Sequence, residues 1–416
     1  MIRKLSEDKR NSDRIRSVYV KVANNIVASH GSGERCWEDY RERNRIYVWF
    51  VEDVLAGTIR SVRENGNYVK RKFGIGYLRQ FLQVFYTSIS APALPKNYYR
   101  FEWYKKKRRK QYKDYLHRYE MKRIVYPALI EGIGVEKNAL GDKRKFYTIC
   151  RNNDIPVLDN LCYITKGKTV FEDGFDTEDL KVDLFIKPVS GKGGKGAAKF
   201  IFKRSENGAL IYSPSNKGSE ISFGEIVEKI QKKVLKKYPA GFVVQKCLRN
   251  SEELNGLSVN ALITFRVITV LNESGDPVVV SGALRMTSDP RSDVDNVHAG
   301  GFASEVDLDT HCLTKAYYLG KGGSFKALKK HPVTGVSIKG KKIKSWSDMC
   351  DLATKAHRAM KPRIVVGWDI ALSDVGPVLV EGNGQPCTDG PQRRSGRPLG
   401  TERFGELVAY HLENKI

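Results

Sequence analysis

The sequence has no unbroken apolar stretch of about eighteen residues, the length that crosses a bilayer as a helix. The nearest, "YLRQFLQVFYTSISAPAL" (77–94), is interrupted by Arg79, several polar residues and a proline. A membrane span is therefore not expected. The first residues, "MIRKLSEDKRNSDR", lack the apolar centre of a secretory signal, so export is not expected either. The seven cysteines are odd in number and contain no CxxC pair, which argues against a disulfide framework or a zinc site and for reduced thiols in a cytoplasm. The expected location is cytoplasmic, with peripheral attachment at the inner face of the membrane as the alternative. No internal repeat or low-complexity tail is present. Negative charge is scarce: 47 acidic residues stand against 72 Lys and Arg, a net charge of +25. A field of that sign attracts nucleotides, nucleic acid, anionic lipid or acidic glycans without choosing among them.

At 416 residues, 41% hydrophobic and 29% charged, the chain is long enough for two or three domains with a substantial core. Residues 1–135 show helix-like apolar spacing, many charges and few strand signals, as expected of a basic, mainly helical region. Its run "YKKKRRKQYKDYLHRYEMKR" (104–123) interleaves aromatic and basic residues. It reads either as a solvated helix face or as an anion-binding surface. From about residue 140 helices alternate with β-rich runs such as "VDLFIKPVS", "AKFIFKR", "GFVVQKCL", "ITFRVITVL", "PVVVSGALRM", "RIVVGWDIAL" and "GPVLVEGN". Short turns, "NESGD" and "SDVG", join adjacent runs and favour antiparallel hairpins, so the class is α+β. The stretch "SWSDMCDLATKAHRAMK" predicts an amphipathic helix with Trp346, Met349, Leu352, Ala353, Ala356 and Met360 on its buried stripe. His357, off that stripe, is expected at the surface.

Two segments carry chemistry. In "LVEGNGQPCTDG" (379–390) an apolar strand ends in Glu381 and Asn383, which point the same way because strand side chains alternate. Either this is a polar strand end entering a turn, or it supplies oxygen ligands to a hard cation such as Mg²⁺. The second, "IKPVSGKGGKGAAKFIFKR", matches GxGxxG at Gly191, Gly193 and Gly196, but a strand rather than a helix follows, unlike a dinucleotide fingerprint. No Lys-Ser/Thr follows Gly196, and no HRD or DFG segment lies downstream, so neither a P-loop nor a protein kinase fits. What remains is a glycine hairpin carrying Lys192 and Lys195, able to fold backbone amides over phosphates, with Lys187 as a cation on the preceding strand. A surface hairpin is the alternative.

Together these segments resemble the ATP-grasp superfamily, from about residue 140 to the C-terminus. "GDKRKFYTICRNNDIPV" looks like the segment whose lysine binds phosphate, here Lys143. "FIKPVSGKGGKG" supplies Lys187 and the mobile loop with Ser190, Gly191, Gly193 and Gly194. "FVVQKCL" looks like the strand that clamps adenine, with Gln245 where many members have Glu, and Lys246 and Leu248 offering backbone contacts. "ITFRVITVL", "RMTSDPRSDVDNVHAGG" and "GWDIALSDVGPVLVEGNGQP" look most like the sugar-transfer-associated ATP-grasp group, although its N-T-x-R begins here with Ile263. The resemblance implies an ATP-grasp fold of two α+β subdomains clamping ATP, preceded by the helical region 1–135. The first subdomain, 136–245, would hold the glycine loop and the second, 246–416, the Mg²⁺ site.

A hairpin turning at "SDVG" sets Asp369 beside Val380 and Glu381, so Asp369, Glu381 and Asn383 can converge. In the superfamily this trio resembles the ligands of two Mg²⁺ ions on the ATP phosphates. The implied reaction transfers the γ-phosphoryl of ATP to a carboxylate, and an amine then attacks the acyl phosphate, with Arg266 contacting the transferring group. The substrates would be a small-molecule, glycan or peptide carboxylate and an amine. His298, in "DNVHAGG" with Asp295 and Asn296, is either an acceptor-side residue or a hydrogen-bonded loop histidine. Cys387 reads as structural, since an ATP-activated acyl group needs no thiol. A sugar or small-molecule kinase on the same fold is the main alternative. Pure nucleic-acid binding is disfavoured, because it needs no metal ligands. An anionic acceptor or membrane surface is expected to meet the basic run Lys105 to Arg109.

Overall fold

The computed structural model describes residues 10–15, 54–91, 93–130, 139–190, 196–215, 218–293, 301–318 and 327–414. Lys192, Lys195, Gly191, Gly193, Gly194, Asp295, Asn296 and His298 lie outside these residues.

The described part of the basic region is helical. Helices Gly57–Phe73 and Tyr77–Ile89 pack on each other, and the first ends at Gly74, whose left-handed φ of 67° closes the cap. Their shared core is aromatic, with Tyr98, Tyr99, Phe101, Trp103 and Tyr115 buried against Val62, Val69 and Val84.

Seven strands form the first sheet: β1 (Asn160–Thr165), β2 (Lys168–Phe171), β3 (Leu184–Pro188), β4 (Ala198–Glu206), β5 (Ala209–Pro214), β6 (Ile221–Ser222) and β7 (Phe242–Lys246). Their order is β2-β1-β7-β3-β4-β5-β6 and all pairings are antiparallel. β3 and β4 flank the glycine segment as a hairpin, as the strand-like "AAKFIFKR" predicts. One face buries Cys162, Ile164, Leu184, Ile186 and Val244 under helix Phe223–Lys236, whose Ser222 and Glu225 form a reciprocal cap. Pleating sends Lys187, Val243 and Gln245 to the other face.

The second sheet contains β8 (Thr264–Leu271), β9 (Pro277–Met286), β10 (Phe302–Val306), β11 (Leu313–Tyr318), β12 (Ala327–Leu328), β13 (Val365–Ser373) and β14 (Gly376–Asn383). It runs β12-β11-β10-β9-β8-β13-β14, again antiparallel. Helices Trp346–Ala359 and Lys143–Asn152 cover one face, where Phe146, Cys150, Phe265, Val267, Leu284, Trp346, Trp368 and Ile370 make the largest core. Gly282 is needed there: a Cβ would lie only 2.6 Å from the Cζ2 of Trp346. Half of the opposite face is covered where Ile268 and Val270 meet Met121, Leu129, Phe404 and Leu407. The other half carries the charged residues described below.

His357 is not at the surface. It is fully buried, with Nε2 2.7 Å from the Arg363 carbonyl and Nδ1 2.7 Å from the Thr269 hydroxyl. A carbonyl only accepts, so Nε2 carries the proton and Nδ1 accepts from Thr269. The helix packs across several strands, which widens its buried face beyond the apolar stripe.

Candidate active site

Strand pairing builds the site. The β13–β14 hairpin turns at Gly376, whose φ of 104° suits glycine, and places Asp369 opposite Glu381. A bulge between Asp369 and Ile370 produces the expected two-residue ambiguity, since Ile370 then faces Leu379. Asp369 also pairs with Arg266 on β8, Arg266 with Ala283 on β9, and Ala283 with Glu305 on β10. Directly paired residues point to the same face, so Glu381, Asp369, Arg266, Ala283 and Glu305 form one row, roughly 19 Å long at about 4.8 Å per strand.

Asp369 is the hinge of this row. It is 2% exposed, and its Oδ1 accepts from Arg266 Nε at 2.5 Å and its Oδ2 from Arg266 Nη2 at 3.1 Å, while Arg285 Nη2 forms an ion pair with Oδ2 at 2.9 Å. Burial pushes its carboxyl up, but the two guanidiniums outweigh burial and hold it well below the usual carboxylate range. Glu381 behaves oppositely: burial, then the neighbouring Asp369 charge, raise its carboxyl. Asn383 donates to Glu381 Oε1 at 3.4 Å through Nδ2, which leaves its carbonyl oxygen for a cation. Gly382 lets this strand lie close to its neighbours, since a Cβ there would come within 2.7 Å of Leu140 and 3.0 Å of Trp368.

Lys187 faces the row from the first sheet. Its side chain is nearly buried, and burial lowers its pKa to about 8, with Glu381 and Asp369 opposing that fall and Lys143 adding to it. Lys143 begins helix Lys143–Asn152 behind the Asp142 cap and donates to the Val189 carbonyl at 3.1 Å. Burial lowers its pKa too, opposed by Glu381. Lys187 of the first sheet and Lys143, at the start of a helix packed on the second, thus share one cleft with the two acids.

Gln245 lies on the same inner face as Lys187. Its Nε2 donates to Asn160 Oδ1 at 2.7 Å, and Asn160 in turn donates to Tyr163 at 2.8 Å, while Gln245 Oε1 is buried without a partner among the described residues. Lys246 is exposed at the strand end, Leu248 follows half-buried, and Ser190 is exposed beyond β3. In the basic run, Lys105 and Arg108 both pair with Glu102, at 2.8 and 2.6 Å, and Arg109 donates to Gln83 at 3.0 Å. Of Lys105 to Arg109, Lys106 and Lys107 are the exposed residues.

The residues fit Mg²⁺ and a nucleotide. Among the described residues no three His, Cys, Asp or Glu side chains converge as a metal site. The oxygen set here is two carboxylates and one amide, which suits a hard cation. Asp369 Oδ1, with a single arginine contact, keeps a lone pair, whereas Oδ2 is taken up by two. The orphaned Gln245 oxygen suits a ligand that brings its own donor.

Arg285 was not singled out from the sequence, although the "NESGD" hairpin that fixes Arg266 also brings Arg285 to Thr264, whose Oγ1 accepts from its Nε at 3.0 Å. Arg394 and Glu305 were missed as well. Arg394 lies on helix Asp389–Ser395, whose docking over β9, β10 and β11 has no local sequence signal.

Two antiparallel sheets facing across a cleft, one bearing Lys187 and the other the acids, are the ATP-grasp architecture. The chain belongs to the sugar-transfer-associated ATP-grasp family, whose profile matches residues 134–402. Similar solved structures include an L-amino acid ligase from Bacillus licheniformis (13% identity, 66% of this chain, 48% of that one, TM-score 0.37). A D-alanine–D-alanine ligase from Bacillus anthracis complexed with ATP shares 11% identity over 66% of this chain and 67% of that one, with TM-score 0.38. A biotin carboxylase from Campylobacter jejuni shares 10% over 66% and 46%, also with TM-score 0.38. The chain thus spans about half the length of the first and third of these. Among curated proteins, none matches it. No helix among the described residues is long and apolar enough to cross a membrane.

Proposed function

We propose that this protein is an ATP- and Mg²⁺-dependent ligase that activates a carboxylate as an acyl phosphate and joins it to an amine, acting on a surface polysaccharide or its precursor. The observation that carries this reading is that Lys187 of the first sheet lies within electrostatic reach of Asp369 and Glu381 of the second. Such a cleft places cations on phosphates and acids on their metal.

Bound MgATP supplies the electrophilic γ-phosphoryl group. Asp369, Glu381 and Asn383 would hold the metal, and Lys143 and Lys187 the phosphates. The Gln245 oxygen and the strand end at Lys246 to Leu248 would receive the base. Phosphoryl transfer needs alignment and charge neutralisation more than covalent help. Arg266 is pre-aimed for this: Asp369 grips one side of its guanidinium and fixes the fork, so orientation is set before substrate arrives.

The test combines the purified chain, MgATP, a pool of carboxylic acids and hydroxylamine. A ligase forms hydroxamate together with ADP, and an ¹⁸O-labelled carboxylate transfers its label to inorganic phosphate. A stable phosphate ester without hydroxamate would make the protein a kinase. Release of AMP and pyrophosphate would reject both.

A further inference from the structure

Beyond Arg266 the second sheet presents charged groups that phosphoryl transfer does not use. Arg394 is 8% exposed, and its Nε is buried without an acceptor. Among the described residues its guanidinium makes no hydrogen bond or ion pair, although Glu305, Cys387, Arg266 and Arg285 all lie within electrostatic reach. Arg266 and Arg285 are engaged by Asp369, whereas Arg394 is not. The carboxylate of Glu305, half-buried at the far end of the row, likewise has no hydrogen-bond partner among the described residues, and Arg394 is the strongest charge acting on it. A guanidinium and a carboxylate therefore lie within electrostatic reach of each other across a gap, without pairing. Ala283, between Arg266 and Glu305 in the row, adds no bulk to fill it. Burying a charge without a partner is costly, and opposite charges in one low-dielectric space close on each other unless something is meant to stand between them.

We propose that Arg394 and Glu305 form the substrate subsite of this centre, taking a zwitterionic, amino-acid-like molecule whose carboxylate is received by Arg394 and whose ammonium faces Glu305. The carboxylate then lies on the side of Arg266 and the metal acids, where a ligase would activate it. The inference rests on the ligase reading for that activation and on geometry for the binding. Gly390 supports the placement: a Cβ there would come 2.9 Å from Arg394 Nη1, so glycine leaves the guanidinium its position.

The full chain saturated with Mg²⁺ and a non-hydrolysable ATP analogue is titrated calorimetrically with glycine, β-alanine and 4-aminobutyrate, and with acetate and methylammonium as single-charge probes. At least one zwitterion should bind ten times more tightly than either single-charge probe. Arg394→Gln should lower that affinity at least tenfold, and Glu305→Gln should do so while leaving acetate unchanged. Gly390→Ala, which keeps every charge but displaces the guanidinium, should also weaken the zwitterion, and the analogue's own affinity reports folding in each variant. Acetate binding as well as every zwitterion, or zwitterion affinity equal to wild type in Arg394→Gln or Glu305→Gln, overturns the proposal. The ligase reading falls separately: a protein that binds the zwitterion through these residues yet yields no hydroxamate keeps the subsite and loses the ligase.

Discussion

Asp369 and Glu381 sit side by side as the acids of the proposed metal site, yet their removal should have unequal consequences for the empty protein. Asp369 is the counterion of two guanidiniums, each with about a fifth of its side chain exposed, at 21% for Arg266 and 19% for Arg285. Breaking a buried pair costs about 3–5 kcal/mol, and the residual exposure of both arginines reduces this to roughly 2–4 kcal/mol for Asp369→Ala. Glu381 has no such partner: burial and the adjacent Asp369 charge both disfavour its ionised form. Glu381→Gln keeps the shape and removes the repulsion, so its cost should stay within about 1 kcal/mol. At about 2–4 °C per kcal/mol, Asp369→Ala should lower the calorimetric Tm by about 4–16 °C, and Glu381→Gln should move it by at most about 4 °C. The scans are made without metal or nucleotide, since ligand binding would shift both. Both variants should lose Mg²⁺-dependent ADP formation. A Tm as low in Glu381→Gln as in Asp369→Ala would refute the assignment of Asp369 as the counterion, and full turnover in either variant would refute its role as a ligand.

Lys187→Met and Lys143→Met should each weaken Mg²⁺-ATP binding by about ten- to a hundredfold in calorimetry, the value of one charged hydrogen bond of about 1.5–3 kcal/mol, and affinity equal to wild type would remove them from the phosphate site. His357 should make stability depend on pH, because burial depresses its folded-state pKa to about 4 from an ordinary 6.5. The unfolded chain then binds more protons between those values, so its contribution of about 3 kcal/mol is complete above pH 6.5 and is lost as pH falls toward 4. His357→Gln should flatten the Tm profile over that window, and an unchanged slope would contradict a neutral buried imidazole.

The parts of the site that were legible in the sequence are those fixed by short hairpins. A tight turn and a two-residue period leave little freedom, so "SDVG" alone places residue 369 beside 381, and only the one-residue bulge needed coordinates. Lys143 is legible through the resemblance of its Gly-Asp-Lys segment, and the structure shows Asp142 capping the helix it begins. Residues brought in by docking are not legible in this way. Arg394 depends on where helix Asp389–Ser395 settles, and Lys187 shows its burial only once two sheets face each other. The aromatic core of the basic region follows no helical stripe, because its short segments Lys96–Arg100 and Tyr112–Asp114 carry rings inward from turns as well as helices.

The first third of the chain, which carries no recognisable motif, is nonetheless part of the site's construction. Gln392 receives the Leu116 amide at 2.9 Å and donates to the Leu116 carbonyl at 2.9 Å. Two residues from Arg394, this replaces a strand-like pairing with a single side chain. Asp389 pairs with Arg100 at 2.6 Å and accepts from the Arg118 amide at 3.1 Å, and buried Tyr126 donates to the Pro386 carbonyl at 2.8 Å. These bonds hold the segment between the metal strand and Arg394 from outside, while β9, β10 and β11 support it from below. A seven-residue helix has too few internal bonds to hold a buried guanidinium in place by itself. The helical region therefore supplies the rigidity that the arginine requires, and the end of the cleft that carries Arg394 is built jointly by the family fold and the segment that precedes it.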